Sequence, residues 1–314
     1  MKDNLGREIN YLRLSVTQRC NLNCIYCGTE SPDLNEMSTE EIRQAVEVFV
    51  LCGINKVRLT GGEPLVRADI AEIASQISEI DGIEKLVLTT NGVNLRKYAA
   101  SLKKAGVSAV NVSIDSFDRE NYRRITGADC LPQVLEGICE AERVGLKLRV
   151  NAVLIRGEND HEAENLIGIA RDRKIDVRFI ELMPFSDKGK NEKLIIRGDE
   201  LLRRFDYLKP VEKSINSFEQ SVARYYKADG FKGQIGFITP VSEKFCDECN
   251  RIRLLSDGKI KPCLGHDETY DLRPHFGDRE KMLETVREAI ASKPRGHEFG
   301  CGYGNTRAMN KIGG

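Results

Sequence analysis

The chain has 314 residues, enough for a substantial core and for one large or two moderate domains. It is 40% hydrophobic and 31% charged, and its 48 basic and 48 acidic side chains cancel, so no global basic field argues for nucleic acid. The opening MKDNLGREINYLRLSV has no apolar signal core and no stretch approaches a membrane span, which predicts a cytoplasmic protein whose ten cysteines are metal ligands and buried thiols rather than disulfides.

Through the first two-thirds, short runs rich in Val, Ile, Leu and Thr alternate with helical patterns. Strands are expected at 11–16, 56–60, 85–89, 109–114, 147–153 and 176–180. Helices are expected at 38–52, 69–80, 95–105, 131–144 and 162–173. The first opens on a capping-box-like Ser-Thr-Glu-Glu and stops at Gly53. Repeated βα units predict a parallel sheet with helices outside. Six such units are too few for a closed eight-stranded barrel. An α/β fold with a partial (β/α)6 TIM-like barrel fits, and Rossmann-like winding is the alternative. After Pro184 the chain turns charged and irregular to about 220, apart from a short helix at 198–205. Short strands around turns follow, and a last helix is expected at 278–291. This predicts a barrel over residues 1–220 and a smaller domain over 221–314.

Cys20, Cys24 and Cys27 stand as Cys-x3-Cys-x2-Cys just past the first strand. Three thiolates on one loop hold three irons of a cubane and leave the fourth iron open to a substrate. A zinc loop is the blander reading, disfavoured because zinc sites pair Cys-x2-Cys units and take four protein ligands. Gly61-Gly62-Glu63-Pro64 follows the second strand, where glycine lets backbone approach a ligand closely. Thr89-Thr90-Asn91-Gly92, Ser113-Ile114-Asp115-Ser116, Asn151 and Glu181-Leu182-Met183-Pro184 lie in or at the ends of the next four strands. Function at the C-terminal ends of parallel strands explains the whole series better than six unrelated turns do.

A second group reads Cys246-x2-Cys249-x13-Cys263. With His266 it makes a four-ligand zinc knuckle; without it, a second three-thiolate iron–sulfur site. Arg251 and Arg253 follow in a β-like run that puts both on one face, where two guanidiniums suit a polyphosphate. Arg13, Arg58 and Arg149 rise from strands that should be apolar, and a buried Arg costs several kcal/mol unless an anion compensates it. Cys52, Cys130 and Cys139 sit singly in or beside helical segments and read as core or partly buried thiols.

Together LRLSVTQRCNLNCIYC, VRLTGGEPLVR, LTTNG, NVSIDS, VRFIELMP, FCDECNRIRLLSDGKIKPCL and the terminal Gly-Gly resemble the GTP 3',8-cyclase family over nearly the whole chain. That family lies in the radical S-adenosylmethionine (SAM) superfamily and opens molybdenum cofactor biosynthesis. The first triplet is a superfamily signature. The second, with Asn-Arg-x-Arg directly after its Cys-x2-Cys, is the family-specific part. The resemblance implies a C-terminal domain closing the barrel and two [4Fe–4S] clusters, on Cys20, Cys24 and Cys27 and on Cys246, Cys249 and Cys263. It implies SAM contacts from Tyr26, Gly62, Ser113 and Met183, and GTP contacts from Arg13, Arg58, Thr89, Arg149, Arg251 and Arg253. Arg149 stands where the family usually has Lys. The tail Gly313-Gly314 would insert into the active site, and Cys301 belongs to no assigned pattern.

The implied reaction is radical cyclisation of GTP to 3',8-cyclo-7,8-dihydro-GTP, with SAM cleaved to methionine and 5'-deoxyadenosine. The implied partners are an electron donor such as flavodoxin or ferredoxin and, downstream, cyclic pyranopterin monophosphate synthase; a homodimer is compatible. The rivals are a peptide-modifying radical SAM enzyme, which would carry more C-terminal Cys, and a non-catalytic iron–sulfur or zinc sensor, which would need none of the strand-end signatures.

Overall fold

The structure is a computed structural model that describes residues 1–33, 35–211, 222–299 and 308–313. From the N-terminus the elements are β1 (Tyr11–Ser15), α1 (Thr39–Leu51), β2 (Lys56–Thr60), α2 (Ile70–Ser78), β3 (Lys85–Thr90) and α3 (Leu95–Lys104). Next come β4 (Ala109–Ser113), α4 (Arg119–Thr126), α5 (Leu131–Arg143), β5 (Lys147–Val153), α6 (Ala163–Asp172) and β6 (Asp176–Ile180). The C-terminal part holds α7 (Gly198–Arg204), β7 (Lys209–Pro210), β8 (Arg224–Lys227), β9 (Ile235–Ile238), β10 (Arg251–Leu254), β11 (Lys259–Lys261) and β12 (Tyr270–Asp271). It closes with α8 (Arg279–Ala291) and the single turn α9 (Met309–Ile312).

The first six strands are parallel and neighbour one another in chain order, β1-β2-β3-β4-β5-β6. A doubly wound sheet reverses its strand order at a switch point. No reversal occurs in this series, so the partial barrel stands and the Rossmann-like alternative falls. The C-terminal strands extend this sheet on both sides: β10 lies parallel on the free edge of β1, and β9 parallel on β6. The expected boundary at 220–221 lies outside the described residues. Among the described residues no helix is long and apolar enough to cross a membrane.

Local chemistry explains the elements. Ser38 Oγ accepts from Glu41 N while the Glu41 carboxylate accepts from Ser38 N, a complete capping box on α1. The helix α4 is absent from the sequence expectation. Its run RENYRRIT buries only Tyr122 and Ile125 as apolar side chains, too short a stripe to register as periodic. Asp118 caps it by accepting from Asn121 N, and Gly127 ends it at φ +76°.

Strand alternation assigns the faces. Leu12, Leu14, Val57, Leu59, Leu86 and Leu88 are buried in the apolar layer with the helices. Tyr11, Arg13, Lys56, Arg58, Lys85 and Val87, their alternating neighbours, line the barrel interior. Each buried aliphatic side chain contributes about 1.5–3 kcal/mol. A slip of one residue would forfeit that and bury the cations in hydrocarbon, so the pattern fixes which face is polar.

The single cysteines divide. Cys52 is buried and Cys130 half-buried, as expected, but Cys139 is exposed. It lies on α5 beside Arg173, whose Nη2 is 4.0 Å from its sulfur. Helical periodicity alone does not separate a core position from the flank of an amphipathic stripe.

Candidate active site

One cavity of about 390 Å³ occupies the barrel interior, and both cysteine triplets line it. So do Tyr26, Gly62, Ser113 and Met183, together with Arg13, Arg58, Thr89, Arg149, Arg251 and Arg253. Gly313 reaches the same place through Arg253. Gly314 and Cys301 lie outside the described residues.

The first triplet sits on the loop after β1. Cys27 N donates to Cys24 O at 3.0 Å, turning the loop so that all three thiols face the cavity. Burial pushes all three thiols up, Cys27 to about 11, and the neighbouring thiols add to this for Cys24 and Cys27. Three such groups ionise together only around a positive centre, which is what the irons of a cluster provide. Tyr26 Oη donates to Asp115 Oδ2 at 2.7 Å, tying the loop to the end of β4. Asp115 also accepts from Val153 N at 2.8 Å. Burial lifts its carboxyl to about 6 against those two donors.

The Gly-Gly-Glu turn packs directly on this loop. Gly62 N donates to Thr17 O at 2.7 Å and Glu63 N to Arg19 O at 2.8 Å. A Cβ on Gly62 would stand 2.4 Å from Arg19 O and 2.6 Å from Gln18 O. Both obstacles are backbone, so Gly62→Ala must displace the segment between β1 and the cysteine loop. We expect it to weaken SAM binding at least tenfold, and an unchanged dissociation constant by equilibrium binding would exclude this reading. The Glu63 carboxylate is largely committed: Oε1 accepts from Leu65 N (2.9 Å) and Thr90 Oγ1 (2.6 Å), and Oε2 from Asn91 N (2.6 Å). It joins the ends of β2 and β3 first, and burial lifts it to about 7 against those donors.

The second triplet is built differently. Cys246 begins a short 3-10 turn, Cys249 follows it immediately, and Cys263 lies just beyond β11. Burial would raise the Cys249 thiol, yet Arg251 and Lys293 outweigh it and bring it down to about 6. His266 does not line the cavity; its Nε2 lies 2.8 Å from Gly296 O. Among the described residues no three His, Cys, Asp or Glu side chains gather as they would around one metal ion. A cubane asks for something else: thiolates facing a common volume, each on its own iron. The three thiols on the cavity wall fit that demand.

Between the triplets lies a floor of cations. The register places Arg253, Arg13 and Arg58 side by side across β10, β1 and β2. The next row is Arg251, Tyr11, Lys56 and Lys85. Arg58 Nη1 donates to Thr89 Oγ1 at 3.0 Å, and its Nε donates to Tyr11 Oη. Arg149 lies 3.5 Å from Asp176. Burial pulls the Arg13 guanidinium well down, and Arg253, Arg58 and Arg251 push it further. Sequence reasoning passed over Tyr11, Lys56, Lys85, Arg178 and Lys293, which all line the cavity. Arg178 carried the same signal as Arg13, a charge inside an apolar parallel strand.

The C-terminal turn closes on this floor. Arg253 Nη1 donates to Gly313 O, and Gly313 adopts φ +72° in a slot where a Cβ would stand 2.9 Å from Ser15 Cβ and Thr60 Oγ1. Met309 N donates to Cys27 O at 3.2 Å, and Asn310 Nδ2 to Gln18 O (3.2 Å) and Glu30 O (2.8 Å). One short tail thus touches the first cysteine loop and the arginine row.

Residues 14–169 match the model of the radical SAM superfamily, and residues 175–299 that of the molybdenum cofactor synthesis C domain. A protein of Alkaliphilus oremlandii named GTP 3',8-cyclase is 44% identical across 100% of both chains. The chain belongs to the GTP 3',8-cyclase family. A second GTP 3',8-cyclase, from Peptoclostridium acidaminophilum, is 42% identical over 99% of this chain and 98% of its own. The molybdenum cofactor biosynthesis protein 1 of Bos taurus is 37% identical over 95% of this chain and 48% of its own length. Among solved structures, Streptococcus suis SuiB bound to SAM superposes with a TM-score of 0.67 over 91% of this chain and 66% of that one. At 17% identity this is a likeness of fold alone. As a radical SAM protein, this GTP 3',8-cyclase family member uses SAM and a [4Fe–4S] cluster, and Cys20, Cys24 and Cys27 are the donor set that fits that cluster.

Proposed function

We propose that this chain converts GTP and SAM into (8S)-3',8-cyclo-7,8-dihydroguanosine 5'-triphosphate, 5'-deoxyadenosine and methionine, the first step of molybdopterin synthesis. The observation that carries the reading is the single cavity with a cysteine triplet toward each end and a row of arginines between. Cys20, Cys24 and Cys27 would hold a cluster that, when reduced, would supply one electron for cleavage of SAM into methionine and a 5'-deoxyadenosyl radical, and Cys246, Cys249 and Cys263 would hold a second cluster able to ligate the guanine base.

The remaining work is positioning. Arg253, Arg13 and Arg58 hold the triphosphate, with Arg251, Arg149 and Thr89 at its margins. At one strand spacing of about 5 Å and an effective dielectric near 20, adjacent like charges repel by roughly 3 kcal/mol. A polyanion removes that repulsion, so the row recognises highly charged nucleotides. Ser113, Met183, Gly62 and Tyr26 frame SAM, with Tyr26 restrained through Asp115. The ribose then lies between two fixed ends, which makes hydrogen abstraction effectively unimolecular and restricts the nucleoside conformations from which the ring can close. Phe185, Phe299 and His297 form an aromatic wall, with Phe185 and Phe299 edge-to-face at 5.5 Å and His297 stacked on Phe299 at 4.0 Å. Such a wall excludes water from a reactive radical.

Residues 221–314 act as the closing domain, with Gly313 and Gly314 as its tail. A flavodoxin or ferredoxin would deliver, in a cytoplasmic setting, one electron for SAM cleavage and another that, with a proton, quenches the aminyl radical left when C3' bonds to C8, and cyclic pyranopterin monophosphate synthase would consume the product. A homodimer is compatible with this reading.

Anaerobically reconstituted protein should carry roughly eight irons per chain and form the cyclised nucleotide from GTP, SAM and reductant. Fully loaded protein that cleaves SAM but leaves GTP intact would refute the assignment.

A further inference from the structure

The second cysteine triplet is held by residues far from it in sequence. Asp3 and Arg7 form a buried ion pair in the N-terminal turn, with Arg7 Nε on Asp3 Oδ2 at 2.6 Å and side-chain exposures of 8% for Arg7 and 0% for Asp3. Asp3 Oδ1 also accepts from Leu5 N (3.0 Å) and Arg7 N (2.9 Å), so the turn is rigid. The four remaining guanidinium hydrogens all go to the C-terminal part. Nη1 donates to Cys246 O (2.9 Å) and Arg295 O (3.1 Å), and Nη2 to Lys293 O (3.2 Å) and Pro294 O (2.8 Å). Every donor of this guanidinium is therefore used.

The segment so gripped reaches all three cysteines. Lys293 Nζ donates to Arg251 O and Pro262 O, each at 2.8 Å. Those carbonyls lie two residues after Cys249 and one before Cys263. At Gly296 a Cβ would stand 3.3 Å from both Cβ and Sγ of Cys246, so this backbone lies against the ligand itself. None of these residues stands out by periodicity or motif.

We propose that the Asp3–Arg7 turn is a positioning clasp for the second triplet, acting through residues 293–296 to set the spacing of Cys246, Cys249 and Cys263. It rests on the reading that this triplet holds an iron–sulfur cluster. Arg7 touches neither substrate nor thiol. A lysine in its place keeps the charge beside Asp3 but has three donors on one atom, so it cannot grip Asp3, Cys246 and residues 293–295 together.

The test compares Arg7→Lys and Arg7→Ala with the unsubstituted protein. Each is made also in a Cys20→Ala/Cys24→Ala/Cys27→Ala background, where any cluster belongs to the second site. Iron and sulfide per chain, the electron paramagnetic resonance of the reduced protein and its thermal unfolding midpoint are measured after anaerobic reconstitution. In the triple-cysteine background the parent should hold roughly four irons. Arg7→Lys should lose at least half of them, or shift the spectrum, while its unfolding midpoint stays close to the parent's. With the first triplet intact, Arg7→Lys should keep SAM binding and weaken GTP binding at least tenfold. A parent with no iron in the triple-cysteine background would overturn the second-cluster reading and the clasp with it. A parent with roughly four irons and an Arg7→Lys protein matching it in iron, spectrum and GTP affinity would overturn the clasp alone. Should Arg7→Ala fail to fold, Arg7→Lys alone decides between these outcomes.

Discussion

Arg253→Ala is expected to weaken GTP binding by two to four orders of magnitude, leave SAM binding within a fewfold of the parent, and raise the melting temperature of the nucleotide-free protein. Arg253 is 8% exposed and ends the arginine row of the cavity floor, directly across β10 and β1 from Arg13. Burial lowers its guanidinium pKa to about 10 and Arg251 presses the same way, so it remains charged at neutral pH. Two charge-assisted hydrogen bonds to a phosphate contribute about 1.5–3 kcal/mol each. At 1.4 kcal/mol per decade their loss gives the stated range. The stabilisation of the empty protein has the opposite origin. Arg253 is the largest charge pushing on buried Arg13, so its removal relieves a repulsion that only a polyanion otherwise offsets. Against this stand the lost bond to Gly313 O and a longer one, 3.5 Å, to Ile312 O, both in the tail. Isothermal calorimetry with GTP and with SAM, beside thermal melts of the empty protein, measures all three effects. Unchanged GTP affinity would remove Arg253 from the binding row, and a large drop in empty-state stability would show that the tail contacts outweigh the repulsion.

The barrel was legible because its signals are local. The expected β2, β5 and β6 match the observed bounds, and the other three differ by one residue at one end, since six runs of branched and aliphatic side chains end at turns. The cysteines announce themselves by spacing, and Arg13, Arg58 and Arg149 by being charged where a parallel strand should be apolar. Other features were not legible, because they are set by partners distant in sequence. Nothing local tells that β10 pairs with β1 while β9 pairs with β6, yet that choice brings Arg253 beside Arg13 and closes the arginine row. Tyr11 reads as one more aromatic in a strand; only the register exposes it between Arg251 and Lys56. Lys293 and Arg7 lie outside regular elements and work through backbone carbonyls, which carry no side-chain signature. The helix α4 is too polar to stand out and owes its place to Asp118 and Gly127.

GTP affinity should fall as pH rises above about 7, and Tyr11→Phe should abolish that dependence. The Tyr11 hydroxyl accepts from Arg58 Nε, and Lys56 Nζ lies 4.3 Å from its ring centroid. Burial by itself would raise the phenol, but Arg58, Arg13 and Lys56 together outweigh it and bring the pKa down to about 7. Near neutral pH the free site thus holds a large fraction of phenolate, an internal anion for the cations. A bound triphosphate brings competing negative charge to those same cations, so the phenolate is disfavoured and the pKa returns toward its ordinary value of about 10. The bound state then carries the extra proton. By linkage, the dissociation constant is flat below the free-state pKa and rises up to tenfold per unit above it, until the bound-state pKa is reached. Phosphate ionisation, near pH 6 for the second proton of a phosphoryl group, is common to both proteins and cancels in their difference. Tyr11→Phe loses the acceptor on Arg58 Nε, so it should bind GTP more weakly than the parent at pH 6. At pH 9 it should bind at least as well, because no phenolate competes. Calorimetry in buffers of different ionisation enthalpy reads the same event directly, as uptake of about one proton per GTP at pH 8 to 9 by the parent and none attributable to the site in the variant. Parallel pH profiles for the two proteins would show that Tyr11 stays protonated in the free site and that Arg58 is held by a neutral phenol.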